Sequence, residues 1–436
     1  MSRALALVGA AVLLLGAGAA VHRWLRAPGG SPLFTFASSI VFGIAACGVL
    51  GPIAALLGLP VPVATAVGLA ALALAGAARR PSAGDARGDA LTALLLAVPI
   101  VAVSIRALTL PMAFGDEIAN WGYKSAAFLA TGDIDPRTWS QAGSRGPSYP
   151  LSISVAGTVA AVLQGSFDPS SCRLVAVLAY AALAASFAEC ARASLGASAR
   201  ALATLGLACT PVVLAEAPQF MADTAFTAAI ALAATTLSRA PASALGAAHL
   251  ACVALLKIDG APIAAAAALA VVACASAASR RGAALRLASF GLAANAPWLL
   301  LLGTRGVPAL VADAAARVRD NPLFAPLPER VFGSLRAVAS ELVPHSWLPT
   351  FGVVAPALAL LAFAGPDRAS DPPTRRLGLA IAAAIVAGQI AAIALAPLPT
   401  PWHLEVVRTR TAMHLLPALA LAAAAARSGR APSRVP

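Results

Sequence analysis

Asp116 and Glu117 stand side by side in the segment PMAFGDEIANWGYKSAAFLATGDIDP, just beyond an apolar run that ends near residue 110. A carboxylate where a helix leaves a bilayer can act as a general base toward a hydroxyl. Successive residues on a regular helix point about 100° apart, so the two cannot enter one pocket. The expectation is that, of Asp116 and Glu117, one is a catalytic carboxylate and the other its structural partner. The plainer reading is an acidic pair favoured by the helix dipole. From Ile118 to Ala130 the pattern reads as an amphipathic helix with Trp121 and Phe128 toward lipid, as an interfacial aromatic anchor.

Further ionisable residues lie in or beside apolar runs. Asp223 opens one, Lys257 and Asp259 share a short turn between two others, and Arg410 precedes His414 by one turn at the mouth of the last. Charges at membrane depth are costly and mark function by default. Each also has a plain explanation: Asp223 as a helix cap, Lys257 snorkelling toward Asp259, Arg410 as a flank and His414 as a packing residue. No His or Cys spacing matches a zinc site, His345 and His403 included. A divalent cation between Asp116 and Asp223 stays open, and no cofactor is assigned.

The elements that must position these groups are membrane helices. The chain has 436 residues, 60% hydrophobic and 11% charged, with a mean hydropathy of +0.83; soluble domains carry about 25% charged residues. Runs of about 20 apolar residues recur from end to end, each long enough to cross a hydrocarbon core. Candidate spans are 3–20, 34–56, 60–78, 91–110, 171–190, 199–215, 222–238, 242–257, 260–277, 285–302, 347–364, 377–396 and 411–427. The expected fold is therefore all-α, a polytopic bundle of about 13 spans forming one integral membrane domain over 1–436. The first run lacks a cleavage site followed by a polar chain and reads as a span. The six cysteines lie in or at the ends of apolar segments, so neither disulfides nor a thiolate metal site is expected. No internal repeat is evident, which weighs against a transporter built from repeated halves.

Sidedness rests on the run Leu151–Gly165, short for a span and long enough for a helix lying in the interface. If it does not cross, the loops holding 17 of the 31 basic residues share one face, and segments holding 13 of the 18 acidic residues share the other. If it crosses, that bias vanishes. The positive-inside rule therefore makes it a juxtamembrane helix, with the N-terminus outside and the C-terminus inside. Residues 111–170 and 304–346 become external loops, the second bearing Arg305, Arg317, Arg319 and Arg330 as an acceptor gate or a solvated connector. The net charge of +13 is thus an orienting signal and not a nucleic-acid one. A composition saturated with Ala, Leu and Arg, with Lys124 and Lys257 as its two lysines, suggests a GC-rich bacterial genome.

The acidic pair, W-x-x-K, a later Gly-Asp and the Tyr149-Pro-Leu element resemble the first external loop of GT-C-fold membrane glycosyltransferases. Relatives of that kind include protein O-mannosyltransferases and lipid A aminoarabinose transferases. FMADTAFTAAIAL resembles the family's second acidic element, ALLKIDGAP its K-x-x-G turn, and PWHLEVVRTRTAMHLLPAL its closing element. The sequence departs from the family in GPSYPLS, where Pro147 and Pro150 are separated. The resemblance implies an inverting transfer of a sugar from a polyprenyl phosphate to a glycan, lipid or protein acceptor, on the external face of a bacterial cytoplasmic membrane. Asp116 would be the base, with Asp223 the second acidic element. Lys257 and Arg410, with Lys124 behind them, would hold the phosphate, because a cation aimed at developing charge favours the transition state. Trp121, Tyr149, His403 and His414 are candidate substrate contacts. Two rivals remain: a secondary transporter whose path is lined by Asp223, Lys257, Arg410 and His414, and a polysaccharide polymerase or ligase using a polyprenyl pyrophosphate.

Overall fold

The computed structural model describes residues 2–25, 30–77, 89–112, 117–135, 149–192, 195–305, 326–341, 372–395 and 400–427. All regular structure among them is helical. Four helices comprise the N-terminal part: α1 (Arg3–Trp24), α2 (Pro32–Leu56), α3 (Val61–Ala77) and α4 (Ala90–Thr109). A π-helical turn (Glu117–Gly122) then runs into α5 (Tyr123–Thr131), followed by α6 (Ser152–Gln164), the short α7 (Pro169–Cys172), α8 (Leu174–Arg192), α9 (Ala197–Ala208) and α10 (Pro211–Glu216). The rest comprises α11 (Asp223–Arg239), α12 (Ala244–Leu256), α13 (Gly260–Cys274), α14 (Ala277–Thr304), α15 (Leu327–Glu341), α16 (Pro372–Leu395) and α17 (Thr400–Arg427).

Local chemistry sets several helix starts. The hydroxyls of Ser2, Ser31, Ser243 and Ser276 accept the amide hydrogens of Leu5, Phe34, Gly246 and Ser279, satisfying donors that a helix N-terminus leaves open. Pro211 stands where the expected span 199–215 is divided into α9 and α10. Proline has no amide hydrogen to continue a helix but fits a first helical turn. The expected span 347–364 lies outside the described residues.

Among the described residues, six helices are long and apolar enough to cross a membrane: α1, α2, α4, the continuous stretch Pro169–Arg192, α14 and Arg376–Leu395. Their outward faces are apolar as well. Leu94, Val98, Val101 and Ile105 on α4 and Leu292, Leu299 and Leu300 on α14 are all exposed, whereas a helix facing water carries polar residues there. Lipid is the solvent that suits such a surface.

The centre of the bundle is α8 and α11, nearly every residue of which is buried, packed together and flanked by α2, α12 and α17. Alanine dominates their contacts, as expected where backbones approach closely and helix association depends on van der Waals packing. The tightest crossing joins α1 to α2, where a Cβ on Gly18 would overlap the Ser39 carbonyl and one on Gly43 the Leu14 carbonyl.

Two expectations about the first loop are corrected. Trp121 and Phe128 are 4% and 0% exposed, so they face protein and not lipid. Glu117, Asn120, Trp121, Lys124, Ser125 and Phe128 form one stripe, and its polar members turn it inward to find partners. Ser125 donates to the Ser154 carbonyl at 2.7 Å, stitching α5 to α6. In turn, α6 is no surface helix: Ser152 through Ala161 are all buried, among α1, α2, α3 and α5. Its Ser152 hydroxyl donates to the Leu255 carbonyl at 2.8 Å.

Candidate functional site

Asp223 begins α11 and is 2% exposed. The N-cap of this helix is Ala222, and Asp223 is its first residue. Asp223 Oδ1 accepts from Lys257 Nζ at 2.7 Å and lies 2.9 Å from His414 Nε2. Three segments far apart in sequence thus meet on one oxygen. Lys257 arrives from the C-cap of α12, in a turn that closes tightly because Gly260 lies against the Val253 carbonyl, where a Cβ would not fit. The same ammonium lies 3.1 Å from Asp259 Oδ2 and 5.7 Å from the centre of the Phe226 ring. His414 arrives from α17 and packs edge-on against Phe226, with ring centres 4.9 Å apart. One turn earlier, Arg410 Nε lies 3.9 Å from Glu216 Oε2 at the end of α10.

Glu117 anchors the second half of the site. It is 0% exposed and accepts two bonds from Arg173, Nε to Oε1 at 2.5 Å and Nη2 to Oε2 at 2.6 Å. Its Oε1 also accepts the Phe220 amide hydrogen at 2.7 Å. Arg173 Nη1 donates onward to the Leu110 carbonyl at 2.6 Å. One fork therefore ties the end of α4, the π-helical turn, the start of α8 and the segment leading into Asp223. Bidentate pairing of this kind fixes geometry as well as charge. Asp116, the chain neighbour of Glu117, lies outside the described residues.

Lys124 is fully buried, with Nζ 5.8 Å from the Trp121 ring centre and 5.6 Å from that of Tyr149. The two rings themselves meet edge-on at 6.0 Å. Burial pushes the ammonium down to about 7, so an anion brought beside it would favour the charged form. Trp121 and Tyr149, expected as substrate contacts, are here the walls around a lysine.

Of the sequence-derived candidates, Asp223, Lys257 and His414 are in direct contact, with Arg410 one helical turn away. Glu117, Lys124, Trp121 and Tyr149 form a neighbouring group joined to it through Phe220. His403 is part of α17, and its side chain lies outside the description, as does His345. Arg305 pairs with Asp133 at 3.0 Å, Arg330 belongs to α15, and Arg317 and Arg319 lie outside the described residues. Arg173 was missed by sequence reasoning. Its one signal was a charge at the edge of an apolar run, which also suits an ordinary span flank.

A second charged cluster sits at the other end of the same helices. Asp89 pairs with Arg192 and lies 3.5 Å from Arg200, while Glu189 pairs with Arg239 and lies 3.1 Å from Arg192. Because α8 and α11 each carry one cluster at either end, the two are separated by the length of the bundle. The arginines of two loops expected on one face, Arg192 and Arg200 of one and Arg239 of the other, gather there with Asp89 of a third.

The donor set around Asp223 does not suit a divalent ion, since its Oδ1 already faces an ammonium and an imidazole nitrogen. Among the described residues no three His, Cys, Asp or Glu side chains converge as metal ligands. Comparisons with protein-family models, curated proteins and solved structures found no match.

Proposed function

We propose that this chain is a GT-C-like membrane glycosyltransferase of about 13 spans that moves a sugar, with inversion, from a polyprenyl phosphate to an acceptor on the external face of a bacterial cytoplasmic membrane. The observation that carries the reading is the meeting of Asp223, Lys257 and His414, with Arg410 one turn away. These residues come from three of the motifs that resemble the family, and the first-loop acidic motif is joined to them through the Glu117 bond to Phe220.

In this reaction the acceptor oxygen attacks the anomeric carbon and the bond from that carbon to the phosphate oxygen breaks. Asp116 takes the acceptor's proton, and polyprenyl phosphate leaves. Negative charge grows on the phosphate, so cations that face it lower the barrier more than they tighten ground-state binding. Arg410 suits this role, because a guanidinium one turn before His414 can grip a phosphate through two parallel donors. Lys257 is committed to two carboxylates and acts on the phosphate mainly as a nearby positive charge. The buried face of the first loop excludes water from the same region.

The test is to incubate the purified chain in vesicles with a polyprenyl-phosphate hexose and a cell-envelope extract as the source of acceptor. Sugar-free polyprenyl phosphate should accumulate in the lipid extract, read by mass spectrometry. A second reading, a secondary carrier, draws on the same paired charges at the end of a buried helix. Uptake of labelled solute into the vesicles, with the lipid unchanged, would favour it.

A further inference from the structure

We infer that Nδ1 of His414 is the acceptor for a hydroxyl of the sugar carried by the lipid-linked donor. The identity of this ligand rests on the transferase reading above; the choice of atom rests on geometry.

His414 is 1% exposed, and its Nε2 faces Asp223 Oδ1 at 2.9 Å. The Lys257 ammonium donates to that same oxygen at 2.7 Å, so the oxygen serves both neighbours as an acceptor. Nε2 therefore carries the ring hydrogen. The other ring nitrogen, Nδ1, is buried with no hydrogen-bond partner among the described residues. Protonating it would create a buried N–H with no acceptor, on a ring that already shares Asp223 with the Lys257 ammonium. The groups around the ring are Asp223 and Phe226 from α11, Lys257 and Asp259 from the turn after α12, and Arg410 of α17 with its partner Glu216. Asp223 takes the Nε2 hydrogen, and no acceptor among the described residues faces Nδ1. The resting ring is thus the neutral Nε2–H tautomer, with an open lone pair at Nδ1.

A buried acceptor left unmet is rare in folded proteins and costly to keep. Here the ring is held by two neighbours, the carboxylate at one edge and the Phe226 face nearly perpendicular at 86°, so the lone pair is fixed in direction. Hydroxyls are the natural donors to such a nitrogen. Lys257 shares Asp223 Oδ1 with the ring and Arg410 lies one turn earlier on the same helix, and the group attached to a phosphate bound by these cations is the sugar. An oriented imidazole beside the phosphate cations then reads one sugar hydroxyl, and a ligand lacking that hydroxyl would leave the nitrogen unpaired.

The chain has five histidines, so their ring nitrogens can be isotopically labelled and followed by NMR in nanodiscs free of sugar-based detergent. His414→Gln assigns the resonance, and a thermal shift reports lipid binding. Without ligand, Nδ1 of His414 should resonate as an unprotonated nitrogen. Addition of a polyprenyl-phosphate hexose should move it upfield, as a nitrogen accepting a hydrogen bond does, while sugar-free polyprenyl phosphate should bind and leave it in place. Saturable binding of the sugar lipid with an unmoved Nδ1 overturns the inference and leaves the transferase reading standing. An equal movement with the sugar-free lipid also overturns it, as does an Nδ1 that is protonated at rest. Failure of either lipid to bind removes the transferase reading and this inference with it.

Discussion

Arg173 and Glu117 form a buried two-pronged ion pair, with contacts of 2.5 and 2.6 Å, and the same carboxylate holds the Phe220 amide three residues before Asp223. The pair links the first loop to the helix that bears the second acidic element. Its loss should be felt as stability before it is felt as chemistry. Removing one member of a buried pair leaves the other uncompensated, at a cost of about 3–5 kcal/mol. Glu117→Gln should therefore lower the melting midpoint of the purified protein sharply, and Arg173→Met should do likewise. The double variant should recover part of the loss. Single variants that melt like the wild type would show that the pair bears no strain of the fold.

Asp116→Asn preserves the shape of the side chain and removes its basicity. Turnover should fall by about a hundredfold or more, while binding of the lipid donor is kept. Measured in the same assay, Glu117→Gln should lose less turnover per folded molecule. Near wild-type turnover in Asp116→Asn would move the base to another group.

Lys124 gives a pH dependence with a definite sign. Its folded pKa, about 7, is below the unfolded value, so protonation is disfavoured by folding. Stability should rise as pH increases from about 7 to about 10.5 and should carry the full penalty below that window. Lys124→Met should flatten this part of the profile and raise the melting midpoint near neutral pH. An unchanged slope in the variant would place the ammonium in a better solvated setting.

How much of this was legible in the sequence differs from residue to residue. Asp223, Lys257 and His414 stood out because charged and imidazole groups in apolar runs need partners, and they found one another. Which oxygen would hold which donor was not legible, because that depends on the tight turn at Gly260 and on the entry of α17. Trp121 and Phe128 were assigned to lipid because an apolar stripe faces lipid or protein with equal ease in a membrane; only their neighbours Lys124 and Ser125, which need polar partners, hinted at the inward choice. The run Leu151–Gly165 was ambiguous in length and was read as a juxtamembrane helix from the charge bias of the loops around it; its burial among four helices is a tertiary fact that neither length nor charge encodes. Arg173 resembled the flank of a span, and its partner was 56 residues away.

Topology gives an independent check. A reporter placed after Gly165 should be external if the positive-inside argument holds, with labelling of positions 166–170 from the outside of intact cells. Accessibility from the cytoplasm instead would place the two charged clusters of the bundle on faces opposite to those proposed.

The measurement that bears most directly on the proposed chemistry compares Arg410 variants in donor turnover, with affinity for the lipid-linked sugar measured separately. Arginine can grip a phosphate through two parallel donors where lysine acts as a point charge. Arg410→Lys should therefore keep part of the activity and Arg410→Ala very little, and the loss should lie in turnover and not in donor affinity. Normal turnover in Arg410→Ala, with only weaker affinity for the donor, would contradict the account: Arg410 would then bind the lipid in its ground state and play no part in expelling the phosphate.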